Sequence, residues 1–343
     1  MKKFWISLIL VTIAYTGYWA YGQYQSVFKA NVNAQGAAEV YVEIPTGTNY
    51  ESLLEILKEG NILIDFESFE WLAEFRNLPN HVHAGRYKLS SGTSNYKLIN
   101  ILRSGAQEPV KFVLQSTRTR EMIASRVSKQ IEGDSVSISR LLYNRDKLRE
   151  HGLGPDTWMT VFIPNTYELY WNTSAEQFLE RMVKEHKRFW NEERMAKANK
   201  LNLTTEEVST LASIVQQETV MEDEQATIAG VYLNRIRLGM KLDADPTLIF
   251  AVGDFSITRV LNQHKEIDSP YNTYIYAGLP PGPICIPTIS NIDAVLKDER
   301  HKYIYFCAKE DFSGYHNFAR TLGQHQVNAA KFRRELNRRR IWN

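Results

Sequence analysis

"FWISLILVTIAYTGYWAY", residues 4–21, is an uncharged run of about 18 residues, close to the shortest length that carries a helix across a bilayer. In hydrocarbon only a helix satisfies every backbone polar group from within one such segment. The run therefore fixes the first element and sets the rest of the chain to one side of a membrane. Lys2 and Lys3 precede it and the next cation is Lys29, a bias that leaves the N-terminus in the cytoplasm and the body outside. Bulky aromatics surround Ala20-Tyr21-Gly22, which makes a poor cleavage site, and no cysteine follows to take a lipid. The expectation is a retained anchor over residues 1–21. Residues 22–37, polar and small, read as a linker that lifts the body off the membrane.

The body opens on an internal repeat. "GTNYESLLEILKEG" (47–60) and "GTSNYKLINILRSG" (92–105) align without gaps, with apolar residues at 53, 54, 56, 57 and at 98, 99, 101, 102. Each follows a short alternating stretch, "VYVEIP" or "GRYKLS", and each closes on Gly, which suits a helix C-cap. The unit is strand, turn, helix, and "NILIDFESFEWLAEF" predicts a further helix between the copies. From about residue 110 the chain reads as strand then helix. "WMTVFIPNTYELYWNTSAEQFLERMVKEHKRFWNEERMAKANK" reads as an aromatic loop followed by one long amphipathic helix. "LTTEEVSTLASIVQQETVMEDEQATIAGVYLNRIRLGM" gives two helices, with Thr204 or Thr205 as cap and Gly239 as stop. The following segment, "DADPTL … SPYNTYIYAGLPPGPICIP", is too long and aromatic for a connector and is expected to build a groove.

Composition excludes several classes. A chain of 343 residues with 43% hydrophobic content supports more than one packed core. Lys plus Arg at 41 against Asp plus Glu at 39, a formal +2, gives no global field for nucleic acid. The basic tail "KFRRELNRRRIW" reads as a solvated C-terminal helix. Cys285 and Cys307 do not make a disulfide framework and read as two separate buried thiols. His81 and His83 stand alone, so no metal site is expected. No Gly-rich phosphate loop or G-x-S-x-G elbow occurs, and no cofactor is expected.

One carboxylate stands out. Glu218, in "ASIVQQETVM", falls three, four and seven residues after Val215, Ile214 and Leu211, on the stripe they share with Val208. An acid there either pairs with a cation such as Arg235 or has a function that needs poor solvation. Its position at a helix C-terminus and its apolar surroundings both raise a carboxyl pKa. A carboxyl group still protonated near neutral pH can act as a general acid toward a glycosidic oxygen, as the acid glutamate of lysozyme does from its hydrophobic pocket. Aromatic and Asn residues in the later loops suit a saccharide.

"LASIVQQET", "VYLNRIRLGMKLDADPT", "YNTYIYAGLPPGPI" and "YIYFCAKEDFSGYHNFARTLGQH", with "FIPNTYEL" upstream, resemble the endolytic murein transglycosylases of the YceG-like family. The resemblance implies an α+β chain: a transmembrane helix, a small LysM-like α+β module over 38–108 that grips glycan polymers, and a mixed helical and β catalytic domain of the YceG-like type over 109–343. It further implies cleavage of nascent peptidoglycan strands between N-acetylmuramic acid and N-acetylglucosamine from the outer face of the bacterial cytoplasmic membrane, alongside peptidoglycan synthases. By this resemblance Glu218 is the catalytic acid/base, and Thr219, Asn234, Asp245, Tyr271, Asn272, Thr273, Tyr274, His316, Phe318 and His325 contact substrate. The chain departs from the family at Gln216, where Glu is common, at Asp243 for Gln, and at Asn165 for Asp.

Three readings stay open at this point. A lytic transglycosylase needs Glu218 alone, whereas a muramidase needs a second carboxylate, for which Asp223, Glu224, Asp243 and Asp245 are candidates. A non-catalytic wall-binding protein would use the LysM-like repeat without chemistry. Asp245 is equally a turn acid before Pro246, and His316 and His325 are equally core histidines.

Overall fold

The computed structural model describes residues 2–339, so Met1 of the expected anchor and Arg340, Ile341 and Trp342 of the basic tail lie outside the described residues. The chain forms two compact units. The first comprises residues 1–112 with 128–133 and 168–174; the second comprises 113–127, 134–167 and 175–343.

The first unit begins with helix α1 (Lys2–Phe28), followed by β1 (Glu39–Ile44), α2 (Tyr50–Glu59), α3 (Phe66–Phe75), β2 (Gly85–Ser90) and α4 (Asn95–Ser104). Among the described residues α1 is the one helix long and apolar enough to cross a membrane, and its apolar stretch is exposed, compatible with a single-pass anchor. The repeat appears as the pairs β1–α2 and β2–α4. Its copies are capped alike, with Asn49 accepting from the Ser52 N–H and Ser94 from the Lys97 N–H. β1 and β2 pair antiparallel from Glu39 opposite Ser90 to Ile44 opposite Gly85. Alternation then sends Val42, Ile44, Tyr87 and Leu89 into one core with Leu53, Leu57, Phe69 and Leu98. The closing glycines differ. Gly105 is left-handed at φ +64, whereas Gly60 stays right-handed and Asn61 takes the positive φ one residue later.

The linker expected over 22–37 needs correction. Residues 22–28 complete α1, and residues 31–34 are packed into the first unit, with Asn31, Val32 and Ala34 buried, while residues 35–37 are exposed. Ala30 bridges to Ser94 and Val32 to Leu63. The Asn31 amide donates to Asp65 O at 2.7 Å and to Asn95 Oδ1 at 2.6 Å, while Asn95 donates to Ser26 O at 2.9 Å. Polar side chains that suggested solvation are instead buried and paired, which ties the end of α1 to the repeat.

The strands β3 (Val110–Leu114) and β4 (Asn165–Leu169) each contribute residues to both units, and the second unit holds α5 (Arg120–Val127), α6 (Ser135–Tyr143) and α7 (Arg145–Glu150). It continues with α8 (Ala175–Phe189), α9 (Glu192–Leu201), α10 (Thr205–Glu218), α11 (Glu222–Arg237), α12 (Asp245–Val252) and α13 (Asn262–Lys265), and ends with α14 (Ile289–Leu296), β5 (Tyr305–Ala308), β6 (His316–Ala319) and α15 (Leu322–Arg338). The long helix expected after residue 175 is two helices, because the Asn191 side chain caps α9 by accepting from the Arg194 N–H. The groove segment contains α12 rather than loop alone. Arg338 and Arg339 both pair with Glu335 at the exposed end of α15. Cys285 and Cys307 are free; Cys285 is buried, as expected, but Cys307 is only half-buried.

The core of this unit is built around α10. Val208, Leu211, Ile214 and Val215 are fully buried and pack with Ile228, Tyr232, Ile292 and Val295. The Thr204 side chain accepts from the Glu207 N–H and the Glu207 side chain accepts from the Thr204 N–H, a complete capping box. We expect Thr204→Ala to cost about 1 kcal/mol and to lower the melting midpoint of the second unit by about 2–4 °C. Calorimetry measures it, and an unchanged midpoint would mean that packing alone holds the first turn.

Candidate active site

α10 ends at Glu218, and Thr219 leaves the helix with φ −144° and ψ 145°. The Thr219 hydroxyl accepts from the Met221 N–H at 3.0 Å, so this buried side chain shapes the turn into α11. The turn places Tyr232, 1% exposed, against the end of α10, where its hydroxyl donates to Glu218 Oε1 at 2.5 Å. Glu218 is half-buried, open enough to meet a substrate yet crowded by protein on its other sides.

Burial pushes the Glu218 carboxyl up to about 7. The Tyr232 hydrogen bond opposes the rise by stabilising the anion, the Asp245 carboxylate adds to it by repulsion, and the Arg235 guanidinium opposes it. The Tyr232 phenol is itself held well above its usual range by burial and by the neighbouring carboxylate. Glu218 and Arg235 form no ion pair. Arg235 donates instead to Ile304 O and Leu242 O, both at 2.7 Å, and to Lys241 O at 3.3 Å, with Asp243 Oδ2 at 3.4 Å.

That guanidinium holds the 241–243 segment, in which Asp243 takes φ +47. The next residues are set by Thr273, which is buried. Its hydroxyl accepts from the Ala244 N–H at 3.0 Å and meets the Thr247 hydroxyl at 2.9 Å. Asp245 then begins α12, and the Tyr274 hydroxyl donates to its Oδ1 at 2.6 Å. Burial and this bond raise the Tyr274 phenol. Asn272 supports the loop from inside, donating to Lys265 O and Ile267 O and accepting from the Tyr274 N–H.

The expected residues therefore separate by position. Asp245 and Tyr274 stand with Glu218 around one polar wall. Thr219, Asn272 and Thr273 are buried supports for that wall. Tyr271 is buried, its ring tilted against that of Phe250 with centroids 4.8 Å apart, and its hydroxyl donates to Asp156 Oδ1 at 3.4 Å. Asn234 spends its amide on His301 O and Tyr303 O. Phe318 packs among Tyr303 and Phe306. His316 binds Glu224 through its backbone N–H and through Nδ1 at 2.9 Å. His325 stacks on Tyr305 at 5.3 Å, and its pKa is lowered chiefly by burial. Of the four candidate second carboxylates, Glu224 is committed to His316, Asp223 to the Tyr315 hydroxyl and Asp243 to Arg235; Asp245 alone influences the Glu218 carboxyl. Sequence reasoning did not identify Tyr232 as a partner of Glu218. It lies on the same face of α11 as Arg235, three residues on, and that spacing could have pointed to it.

This arrangement keeps a transferable proton on a carboxyl group near neutral pH, beside a phenol that steadies the anion once the proton leaves. Such a group can give up a proton and take one back. The YceG-like family model matches residues 42–331, and the chain belongs to the YceG-like family. The endolytic murein transglycosylase of Bacillus subtilis (strain 168) is 28% identical over 88% of this chain and 87% of its own length. The endolytic murein transglycosylase of Streptococcus pneumoniae (strain D39) is 26% identical over 90% of this chain, which spans 61% of that longer protein. The crystal structure of a YceG-like protein from Listeria monocytogenes superposes with a TM-score of 0.56 at 26% identity, covering 84% of this chain and 98% of that one.

The charges around Glu218 set the direction of two measurable effects. Tyr232→Phe removes a bond that favours the anion, so the Glu218 pKa rises and the alkaline limb of any Glu218-dependent activity moves to higher pH; Asp245→Asn removes a repulsion, and the limb moves down. Shifts in the same direction would break the assignment. The second effect concerns stability. Between 4.5, the ordinary carboxyl value, and about 7, the folded chain keeps a proton the unfolded chain has released, so this group lowers stability as pH rises. Glu218→Gln should gain roughly 1–3 kcal/mol over wild type at about pH 8 and nothing at about pH 4, read by denaturant titration.

Proposed function

We propose that this chain is an endolytic murein transglycosylase that cuts peptidoglycan strands internally, between N-acetylmuramic acid and N-acetylglucosamine, and leaves 1,6-anhydro-muramyl ends. The observation that carries the reading is a Glu218 carboxyl raised by burial to about 7 with Tyr232 bonded to one oxygen. Family membership and the names of the Bacillus and Streptococcus relatives support it.

In this mechanism the free oxygen of Glu218 gives its proton to the glycosidic oxygen as the bond from C1 breaks, and the N-acetylglucosamine side leaves as an alcohol. Tyr232 then bonds a full carboxylate, and the substrate's N-acetyl oxygen, with the nearby Asp245 charge, stabilises the cationic C1. The muramyl 6-hydroxyl closes on C1 and returns its proton to Glu218. No water is consumed, because the internal hydroxyl is already beside C1 and its effective concentration exceeds that of water. Glu218 thus serves as acid and then as base.

In the same proposal α1 anchors the chain in the cytoplasmic membrane with its N-terminus inside, close to the synthases that extend new strands. The first unit, whose order of strand, helix, helix and strand resembles a LysM module, grips the glycan. A muramidase would require a second carboxylate beside Glu218; of the four candidates Asp245 is the one that acts on the Glu218 carboxyl, so the product decides between the two reactions.

Digestion of purified peptidoglycan, read by mass spectrometry, tests the reading. Anhydro ends should dominate, long strands should shorten before small fragments accumulate, and Glu218→Gln should lose at least about a hundredfold in kcat. Reducing muramic acid ends as the main product would establish hydrolysis instead.

A further inference from the structure

Beside the helix end that carries Glu218 lies a cavity of about 180 Å³, lined by Arg118, Gln217, Pro246, Phe250, Phe255 and Ile284 among others. Gln217 immediately precedes Glu218, and Pro246 immediately follows Asp245, so the cavity flanks the acid/base site. Its wall is apolar except at Arg118 and Gln217. Arg118 is half-buried, donates through Nη2 to the neutral Gln217 Oε1, and lies with its guanidinium carbon 4.8 Å from the centre of the Phe255 ring. Among the described residues no carboxylate lies within ion-pair distance of it.

The loop bearing Arg118 is fixed at the two residues before it. Gln216 donates to the Ser116 hydroxyl at 2.8 Å, and the Ile286 N–H donates to Thr117 O at 2.9 Å. An oriented cation without a counter-ion, set against an apolar wall, is poorly solvated and favours an anion brought by a ligand. Hydroxyl groups of a neutral sugar need no such group.

We propose that this cavity is an anion subsite in which Arg118 receives a carboxylate carried on the lactyl or peptide substituent of the muramyl residue, with the apolar wall taking the small methyl-bearing part of that substituent. Held there, the substituent fixes the sugar ring whose glycosidic bond faces Glu218. Arg118 is then a specificity residue, and the inference rests on the function proposed above.

The experiment compares the full chain in detergent with Arg118→Gln and Arg118→Lys. The substrates are stem-bearing strands, strands stripped of peptide so that the lactyl carboxylate is free, and stem-bearing strands whose carboxyls have been amidated. On carboxylate-bearing strands Arg118→Gln should raise KM about tenfold with little change in kcat, with Arg118→Lys intermediate. On amidated strands wild type and Arg118→Gln should agree. A penalty confined to stem-bearing strands assigns the carboxylate to the peptide, and one confined to stripped strands, whose lactyl carboxyl is no longer held as an amide, assigns it to the lactyl group. An equal penalty on amidated and native strands, or a loss confined to kcat, overturns the subsite. Absence of anhydro ends from the wild-type digest counts against the proposed function, not against Arg118.

Discussion

Arg235 holds together most of what faces Glu218. Its guanidinium, nearly buried, bonds three backbone carbonyls and one carboxylate, joining α11 to the lead into β5 and to the 241–243 segment. A buried cation is tolerable only when its donors are satisfied, and removing either the charge or its acceptors leaves unpaired groups in a poorly solvated site. The same residue fixes the path toward Asp245 and tempers the pKa of Glu218. Structure and electrostatics thus meet in one side chain, which explains why Arg235 is spent on carbonyls and not on the carboxylate two helices meet to enclose.

The site works through opposed effects on one proton. Desolvation is the largest and raises the Glu218 pKa; repulsion from Asp245 adds to it, while Tyr232 and Arg235 limit the rise. Without the phenol the carboxyl would hold its proton more firmly, and without burial it would ionise well below neutrality. Tyr274 acts one step further out by bonding the Asp245 carboxylate, which keeps that charge in place beside the site. Two tyrosines therefore orient the two acids, each with one hydrogen bond.

The two glutamines that precede Glu218 have a structural account. Gln216 accepts from the Thr288 N–H at 2.6 Å and donates to Ser116, while Gln217 accepts from Arg118 and donates to the Cys285 thiol at 3.4 Å. A neutral amide offers both a donor and an acceptor, so each glutamine can join two loops where a charged side chain would present one polarity. The pair packs the 116–118 and 284–288 segments against the last turn of α10, and Glu218 inherits the rigidity of that turn.

Much of this was legible in the sequence, for a definable reason. Helical spacing put Glu218 on the stripe of Val208, Leu211, Ile214 and Val215, and the repeat at 47–60 and 92–105 marked two helices whose caps, Asn49 and Ser94, stand at equivalent positions. These are local properties, decided by periodicity and capping within a few residues. Residues 22–37 misled because polar residues look alike whether solvated or paired, and Asn31 meets Asn95 only across the fold. The same distance in sequence hid the bonding of Tyr232 to Glu218, of Tyr274 to Asp245 and of Arg118 to Gln217. Local pattern was enough to pick out the acid that would be poorly solvated. Its partners, and with them its proton affinity, came from the three-dimensional packing, because desolvation and hydrogen bonding depend on which distant segments are brought within a few ångströms of one carboxyl group.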